Sequence, residues 1–355
     1  MVARGFDDPG LVAGLVEKIA SLDFKRAKLM EVCGTHTVSL AKHGIRSLLP
    51  KGVTIVSGPG CPVCVTSNSD LSLAFQAARS SGVTLVTFGD MMRVPVNGMS
   101  LQGLRAEGAD IRVVYSPTDA LSIPNDKEVV FFGVGFETTS PGVAALLRIA
   151  EQRGIGNLSI ISCFKLIPPA LRSLLEGGEV RVNGLILPGH VSTIIGVRPY
   201  RFIVDEFHVP CVIAGFEPVD LLTAIYVLLK MLRDGRADLV NAYTRSVTPD
   251  GNQEAGRLLR EYFEPTEAEW RGIGSIPYSG LALREAHSHL DARLKLGLEP
   301  MSVPDAPGCR CAEVIRGSLL PTGCPLFSTK CTPESPLGPC MVTSEGTCAA
   351  YYNYG

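Results

Sequence analysis

Short apolar runs alternate along the chain with longer segments whose apolar residues recur every third or fourth position. The runs are rich in Val, Ile, Leu and Phe and read as strands; the longer segments read as helices. A first series holds AKLMEVCG, VTIVSGPG, VTLVTFGD and IRVVYS, with helices following from Thr37, about Asn68, near Leu101 and near Asp119. A second holds VVFFGVGFE, LSIISCFK, VNGLILPG and CVIAGFEP, each followed by a helical stretch. Nearly continuous apolar strands separated by helices predict an α/β protein with parallel sheets. The two series read as an internal repeat of about 100 residues. They predict two similar α/β domains, 27–123 and 124–240, facing a cleft. Residues 1–26 (LVAGLVEKIASL at their centre) predict an amphipathic helix that needs a surface to cover it. Residues 252–300 read as helical and charged, and 301–355 as irregular. The chain ends, 1–26 with 241–355, are expected to form a third, mainly helical and irregular domain.

Each strand runs into a turn rich in Gly, Pro or Thr: CGTHT, GPGCPVC and FGDMMRVP in the first series, GFETTSPG, CFKLIPP, PGHVSTIIG and AGFEP in the second. In open α/β sheets ligands bind beyond the carboxyl ends of the strands. These turns are therefore where chemistry is expected.

Composition narrows the field. With 355 residues, 46% hydrophobic, the chain supports more than one packed core. A formal net charge of −2 supplies no basic field for nucleic acid and no polybasic membrane patch. The most apolar stretch, Leu221 to Leu232, is interrupted by Lys230 and falls well short of the roughly 20 residues of a membrane span. The first residues lack the apolar core of a secretory signal, so a soluble cytoplasmic protein is expected. No GxxxxGK[ST] and no GxGxxG with a trailing acid occurs, which leaves nucleotide binding unsupported.

Cysteine carries most of the chemical information. There are 11, an odd number, and six lie between Cys309 and Cys348. Such usage in a reducing compartment favours metal or redox chemistry over a disulfide framework. Cys324, Cys331, Cys340 and Cys348 are four thiols suited to an iron–sulfur cluster or a structural zinc. Their spacing is wider than zinc knuckles use, and Leu326, Phe327 and Met341 would keep the site dry, which favours [4Fe–4S]. A bound cluster would also order a tail that holds little core of its own. Cys309 and Cys311 remain open as neighbours, a redox pair or alternative ligands. Cys61-Pro-Val-Cys64 stands at a strand-to-helix turn, where the helix end lowers the first thiol's pKa and brings the sulfurs within bridging reach. A reversible dithiol is expected there, against half of a zinc site with no second half in sight. Cys33 and His36 close the first strand and are candidates for a metal or nucleophile site, against a packed structural cysteine. Glu137, His190 and Glu217 follow strands of the second series and could bind metal or shuttle protons; helix caps explain their neighbours equally well. Cys163 and Cys211 sit in apolar strands and read as core.

Taken together, EVCGTHT, GPGCPVC, FGDMMRVP, GFETT, PGHVSTIIG, GFEP and the tail CPLFxxxCTPExPxGPCMVxxEGTCAAYY resemble the HypD family of hydrogenase maturation proteins over nearly the whole chain. The resemblance implies two similar α/β domains, and a third domain from the chain ends carrying a [4Fe–4S] cluster. It implies a scaffold for the Fe(CN)2CO unit of [NiFe]-hydrogenase, working with HypC and receiving cyanide from HypE, itself charged with HypF. The hydrogenase large subunit is then an indirect partner. On this reading Cys33 anchors the iron under assembly, beside His36, and a HypC thiolate is the second ligand. Cys61 and Cys64 hold two electrons, the tail cluster refills them, and Glu137, His190 and Glu217 support the cleft. The protein is then a redox-active maturation scaffold rather than a metabolic enzyme. The alternative is a free-standing iron–sulfur and dithiol oxidoreductase resembling ferredoxin:thioredoxin reductase. A purely structural zinc protein is a third reading.

Overall fold

The computed structural model describes residues 8–124, 126–178 and 181–355. All eight expected strands form: β1 (Ala27–Glu31), β2 (Val53–Ser57), β3 (Val83–Thr87), β4 (Ile111–Val113), β5 (Glu128–Gly135), β6 (Leu158–Phe164), β7 (Gly184–Pro188) and β8 (Cys211–Ala214). A short β9 (Leu239–Asn241) joins them. Most of their residues are buried, as in strands covered on both faces, while β4 exposes Arg112 and Val113 and β9 is half-buried. The fold is α/β with two parallel sheets.

The sheets do not follow the expected division at 123/124. One has the order β2-β1-β7-β8-β9 and the other β4-β3-β5-β6. The chain lays down β1 and β2, leaves to build the whole second sheet, then returns to insert β7 beside β1. Leu29 pairs with Gly184 and Glu31 with Ile186. Gly184 makes this contact possible: a Cβ there would meet Leu228 and Leu29 side chains at 3.1 and 3.3 Å. The run of alternating strands and helices is continuous, and nothing in its periodicity marks which sheet a strand joins.

Two further expectations change. The N-terminal helix (Pro9–Ala20), capped by Asp8, whose Oδ1 accepts the Gly10 and Leu11 N–H groups, does not join the tail. Ile19 and the following Leu22 pack with Leu221, Ile225 and Leu228 of the helix Pro218–Arg233, which covers the first sheet. Residues 1–7 of that expected helix lie outside the described residues. The segment read as helical between 252 and 300 instead holds an antiparallel hairpin, β10 (Phe263–Trp270) and β11 (Gly274–Leu283), with helix only at Gln253–Tyr262 and Ala292–Leu296 and a 3-10 turn at Glu285–Leu290. Glu264, Glu267 and Glu269 all lie exposed along β10, on a hairpin half exposed to solvent. Among the described residues no helix is long and apolar enough to cross a membrane.

Candidate functional site

The carboxyl ends of β1, β2, β7 and β8 lie side by side in the first sheet, and Cys33, Cys61, His190 and Glu217 follow them directly. Cys33 is buried and caps the helix Gly34–Lys42 with extended backbone. Its N–H donates to Glu31 Oε2 at 3.0 Å, while Glu31 Oε1 accepts the Thr37 hydroxyl at 2.5 Å. Glu31 thus ties strand end and helix start into one turn. Burial pushes the Cys33 thiol up to about 12, and the nearby carboxylates of Glu345 and Glu31 add to the effect. The resting side chain is a neutral thiol.

The β2 turn rests on this one. Gly34 N–H donates to Gly60 O at 2.8 Å. A Cβ on Gly60 would stand 2.2 Å from Cys33 N, so only glycine permits the approach. The next residue, Cys61, caps the four-residue helix Pro62–Val65, and its Sγ accepts the Cys64 N–H at 3.2 Å. Cys61 and Cys64 are joined by a disulfide, with Cα atoms 5.3 Å apart.

His36 is fully buried. Nε2 lies 3.0 Å from Gly215 O and 3.3 Å from Ala214 O, both acceptors, so this nitrogen carries the proton. Nδ1 has no partner. Burial drives the pKa down to about 4, which leaves a neutral imidazole with one free lone pair. Phe216 lies tilted against it at 5.0 Å between centroids and stacks on exposed His190 at 3.9 Å. The structure therefore groups His190 with Cys33 and His36 rather than with Glu137. Glu217 is spent locally: its carboxylate caps the helix Pro218–Arg233, reciprocated by Asp220.

Glu137 belongs to the other sheet, after β5. Its Oε1 accepts the Ile167 N–H at 2.9 Å, and Oε2 is buried with no partner. Burial raises its pKa to about 7. Tyr200, fully buried, lies near enough to feel both Glu137 and Cys33. An apolar cavity of about 330 Å³ opens beside Glu137, between Leu166, Ile194 and Phe263.

All six tail cysteines line one small apolar cavity, with Val314, Leu326, Phe327 and Met341. The Cys311 and Cys340 sulfurs are 2.7 Å apart, Cys340 also contacts Cys348, and Leu337 N–H donates to Cys331 Sγ at 3.3 Å. Among the described residues no three His, Cys, Asp or Glu side chains form a site for a single metal ion. A dry wall of thiols without competing carboxylates fits the donor chemistry of an iron–sulfur cluster. The 3-10 turn Pro339–Met341 packs directly on the dithiol helix Pro62–Val65.

The tail also reaches the Cys33 turn. Thr35 Oγ1 donates to Glu345 Oε1 at 2.7 Å, and a Cβ on Gly34 would meet the Glu345 side chain at 2.7 Å. The Thr343 hydroxyl donates to Asp90 Oδ2 at 3.0 Å, in the turn after β3. Sequence reasoning missed Glu345 and Asp90. Their only signal is their place inside EGTC and FGDMMRVP, since no periodicity foretells a contact across most of the chain.

The chain is similar to known proteins over nearly its whole length. The family described as "HypD: Hydrogenase formation hypA family" matches residues 10–355. The hydrogenase maturation factor HypD2 of Bradyrhizobium diazoefficiens is 43% identical, over 99% of this chain and 96% of its own length. The hydrogenase maturation factor HypD of Cupriavidus necator is 45% identical, over 93% of this chain and 90% of its own. A putative hydrogenase expression/formation protein of Methanocaldococcus jannaschii is 40% identical over 98% of both.

Proposed function

The chain belongs to the HypD family of hydrogenase maturation factors, and from that premise we propose that it is the scaffold on which the Fe(CN)2CO unit of [NiFe]-hydrogenase is assembled. The observation that carries the reading is the contact between the Cys33 and Cys61 turns, with the Cys340-bearing turn Pro339–Met341 packed on the same four-residue helix. On this reading an iron anchor, a two-electron store and a cluster site are neighbours.

The iron is the substrate. Cys33 offers it a soft thiolate once the thiol proton leaves. Burial opposes an uncompensated thiolate, so the site favours deprotonation only when a cation arrives to pair with it. His36 stays neutral at physiological pH and presents the lone pair of Nδ1 within the same turn. Cys33 itself is 6% exposed, so little water reaches the sulfur in the resting fold. The second thiolate comes from HypC, and cyanide from HypE as the HypE–HypF product; the hydrogenase large subunit receives the finished unit.

Cys61 and Cys64 store two electrons: their disulfide takes up two electrons and two protons to give two thiols. Residues of the tail cavity hold a [4Fe–4S] cluster, which when bound supplies single electrons. Cys324, Cys331 and Cys348 belong to that set with Cys340 as the motif suggests, although the contact with Cys311 makes Cys340 the position to test first. A free-standing dithiol oxidoreductase would use the same disulfide but has no need of a buried thiol at Cys33.

Infrared spectroscopy of protein isolated anaerobically with HypC tests the scaffold. Cyanide and carbonyl stretches are expected from the wild type. Cys33→Ala removes one sulfur at a cost of about 1–2 kcal/mol, so the variant stays folded and keeps its visible absorption. It should lose those stretches. Full-intensity bands in Cys33→Ala would take Cys33 out of the mechanism.

A further inference from the structure

Between the dithiol helix and the cysteine cavity stands the tip of the β10–β11 hairpin, residues 271–273. Arg271 is 5% exposed. Its main-chain N–H donates to Val65 O at 2.8 Å, and its Nε–H to Thr66 O at 3.1 Å. Both carbonyls stand at the carboxyl end of the one-turn helix that Cys61 caps and that contains Cys64. Nη2 donates to Asn68 Oδ1 at 2.7 Å, and Nη1 forms an ion pair with Asp305 at the start of the tail. Asn68 Nδ2 in turn donates to Pro304 O at 3.0 Å and Asp305 Oδ1 at 3.1 Å. The adjoining Gly272, with φ +77°, sits so close to the cysteine-bearing helix Cys311–Ile315 that a Cβ would lie 2.6 Å from Ala312 Cα. One guanidinium therefore ties together the dithiol helix, the hairpin and the tail.

A buried cation so placed has an electrostatic consequence. It sits on the carbonyls at the carboxyl end of the one-turn helix that carries the dithiol. Reduction of the Cys61–Cys64 disulfide takes two electrons and two protons; loss of one proton from the product leaves a thiolate. A fixed positive charge stabilises that thiolate and has nothing comparable to act on in the neutral disulfide. Asp305 offsets part of the charge, but its side chain is 38% exposed and so is screened by water more than the guanidinium is.

We propose that Arg271 is a positioning residue that fixes the dithiol helix against the cysteine cavity and biases the Cys61–Cys64 pair toward its reduced form. Asp305 sets how much of that bias is felt. The inference rests on the reading of this pair as a working redox couple, and the experiment separates the two.

The full-length protein is equilibrated anaerobically at about pH 8 across ratios of reduced to oxidised dithiothreitol, which supplies the electrons and closes to its cyclic disulfide. Free Cys61 and Cys64 are trapped with a maleimide and counted by peptide mass spectrometry. Arg271→Gln should lower the equilibrium constant for reduction three- to tenfold, about 14–30 mV for a two-electron couple. Asp305→Asn should raise it, because it uncovers the charge. Arg271→Lys, which keeps the charge but not the fork, should stay within about twofold of wild type. A purely structural role moves the melting temperature of all three variants and leaves the equilibrium alone. If wild type interconverts while Arg271→Gln and Asp305→Asn shift together, or neither shifts, the role of Arg271 is overturned. If the wild-type pair does not interconvert, the redox reading itself falls and takes this inference with it.

Discussion

Glu137 is the residue whose burial most directly commits the chain to a measurable pH dependence. Its carboxyl sits near pKa 7 in the fold against about 4.5 when exposed, and burial is the main cause. The sign follows from proton counts. Below about pH 4.5 folded and unfolded chains both hold the proton. From there to about pH 7 the unfolded chain has lost it and the folded chain keeps it, so stability falls as pH rises. Above pH 7 the cost is constant. Glu137→Gln removes the titration. The unfolding free energy of the variant relative to wild type should therefore grow by on the order of 2–3 kcal/mol between pH 4.5 and about pH 8. Neutral His36, depressed to about 4, contributes the opposite slope, but equally in both proteins, and it cancels in the difference. Chemical denaturation across this range is the measurement; a difference that stays flat with pH would show that Glu137 is ionised in the fold. At this scale the sequence spoke clearly about residue types and poorly about their company. Cys33, His36 and Cys61 could be singled out because each lies in a turn or helix start just beyond a strand. Glu217 is less easily placed from sequence, because a carboxylate three residues before an aspartate at a helix start also makes a capping box.

At the scale of elements, what matters is how closely two turns approach. The turns after β1 and β2 meet by direct backbone contact. Gly60 is the reason, and its replacement tests the contact. Gly60→Ala places a methyl against Cys33 N and Val32 C, backbone atoms with no flexible end to swing aside. One turn must then move. The cost should be on the order of 2 kcal/mol or more. The more informative consequence is exposure: Cys33, 6% accessible in the fold, should react with a thiol reagent several-fold faster in the variant, at a temperature where both proteins are folded. Unchanged reactivity with unchanged stability would mean that the two turns do not constrain each other. The strands and the glycine-rich turns could be read from apolar runs and turn residues. Sheet membership could not, because strand periodicity reports burial and not the neighbour. The charged hairpin at 263–283 reads as helix for a related reason: Glu264 and Glu267, three residues apart, match a solvated helix face, and only the structure puts them on an exposed strand.

For the whole molecule, the tail is the element that ties both sheets to the candidate centre. Glu345 reaches the Cys33 turn, Thr343 the turn after β3, and Pro339–Met341 the dithiol helix. Six thiols face one cavity within that tail, and four of them suffice for a cluster. The Cys311 and Cys340 sulfurs lie 2.7 Å apart, closer than two terminal thiolates of one cubane stand, so one of them must move or stay out of the set and serine variants decide which. The cysteine spacing alone suggested a set ending in Cys340 and Cys348, and it left Cys309 and Cys311 without a place because their approach depends on a fold back across the tail. Six single Ser variants, purified anaerobically, should sort the ligands. Wild type should be brown with about four irons per chain. Ser at position 324, 331 or 348 should lose most of the iron and lower the melting temperature, because cluster binding and ordering of the tail are coupled. Ser at position 311 should keep the iron. Cys340→Ser and Cys309→Ser should part company, one losing iron and the other keeping it, and the loser is the fourth ligand. Colourless wild-type protein carrying zinc, or retained iron in all six variants, would overturn the cluster assignment and leave the cavity a packed thiol core. The contacts of Glu345 and Thr343 predict a further readout of the same variants: loss of the cluster should speed labelling of Cys33, far along the chain, as the tail lets go of the first turn.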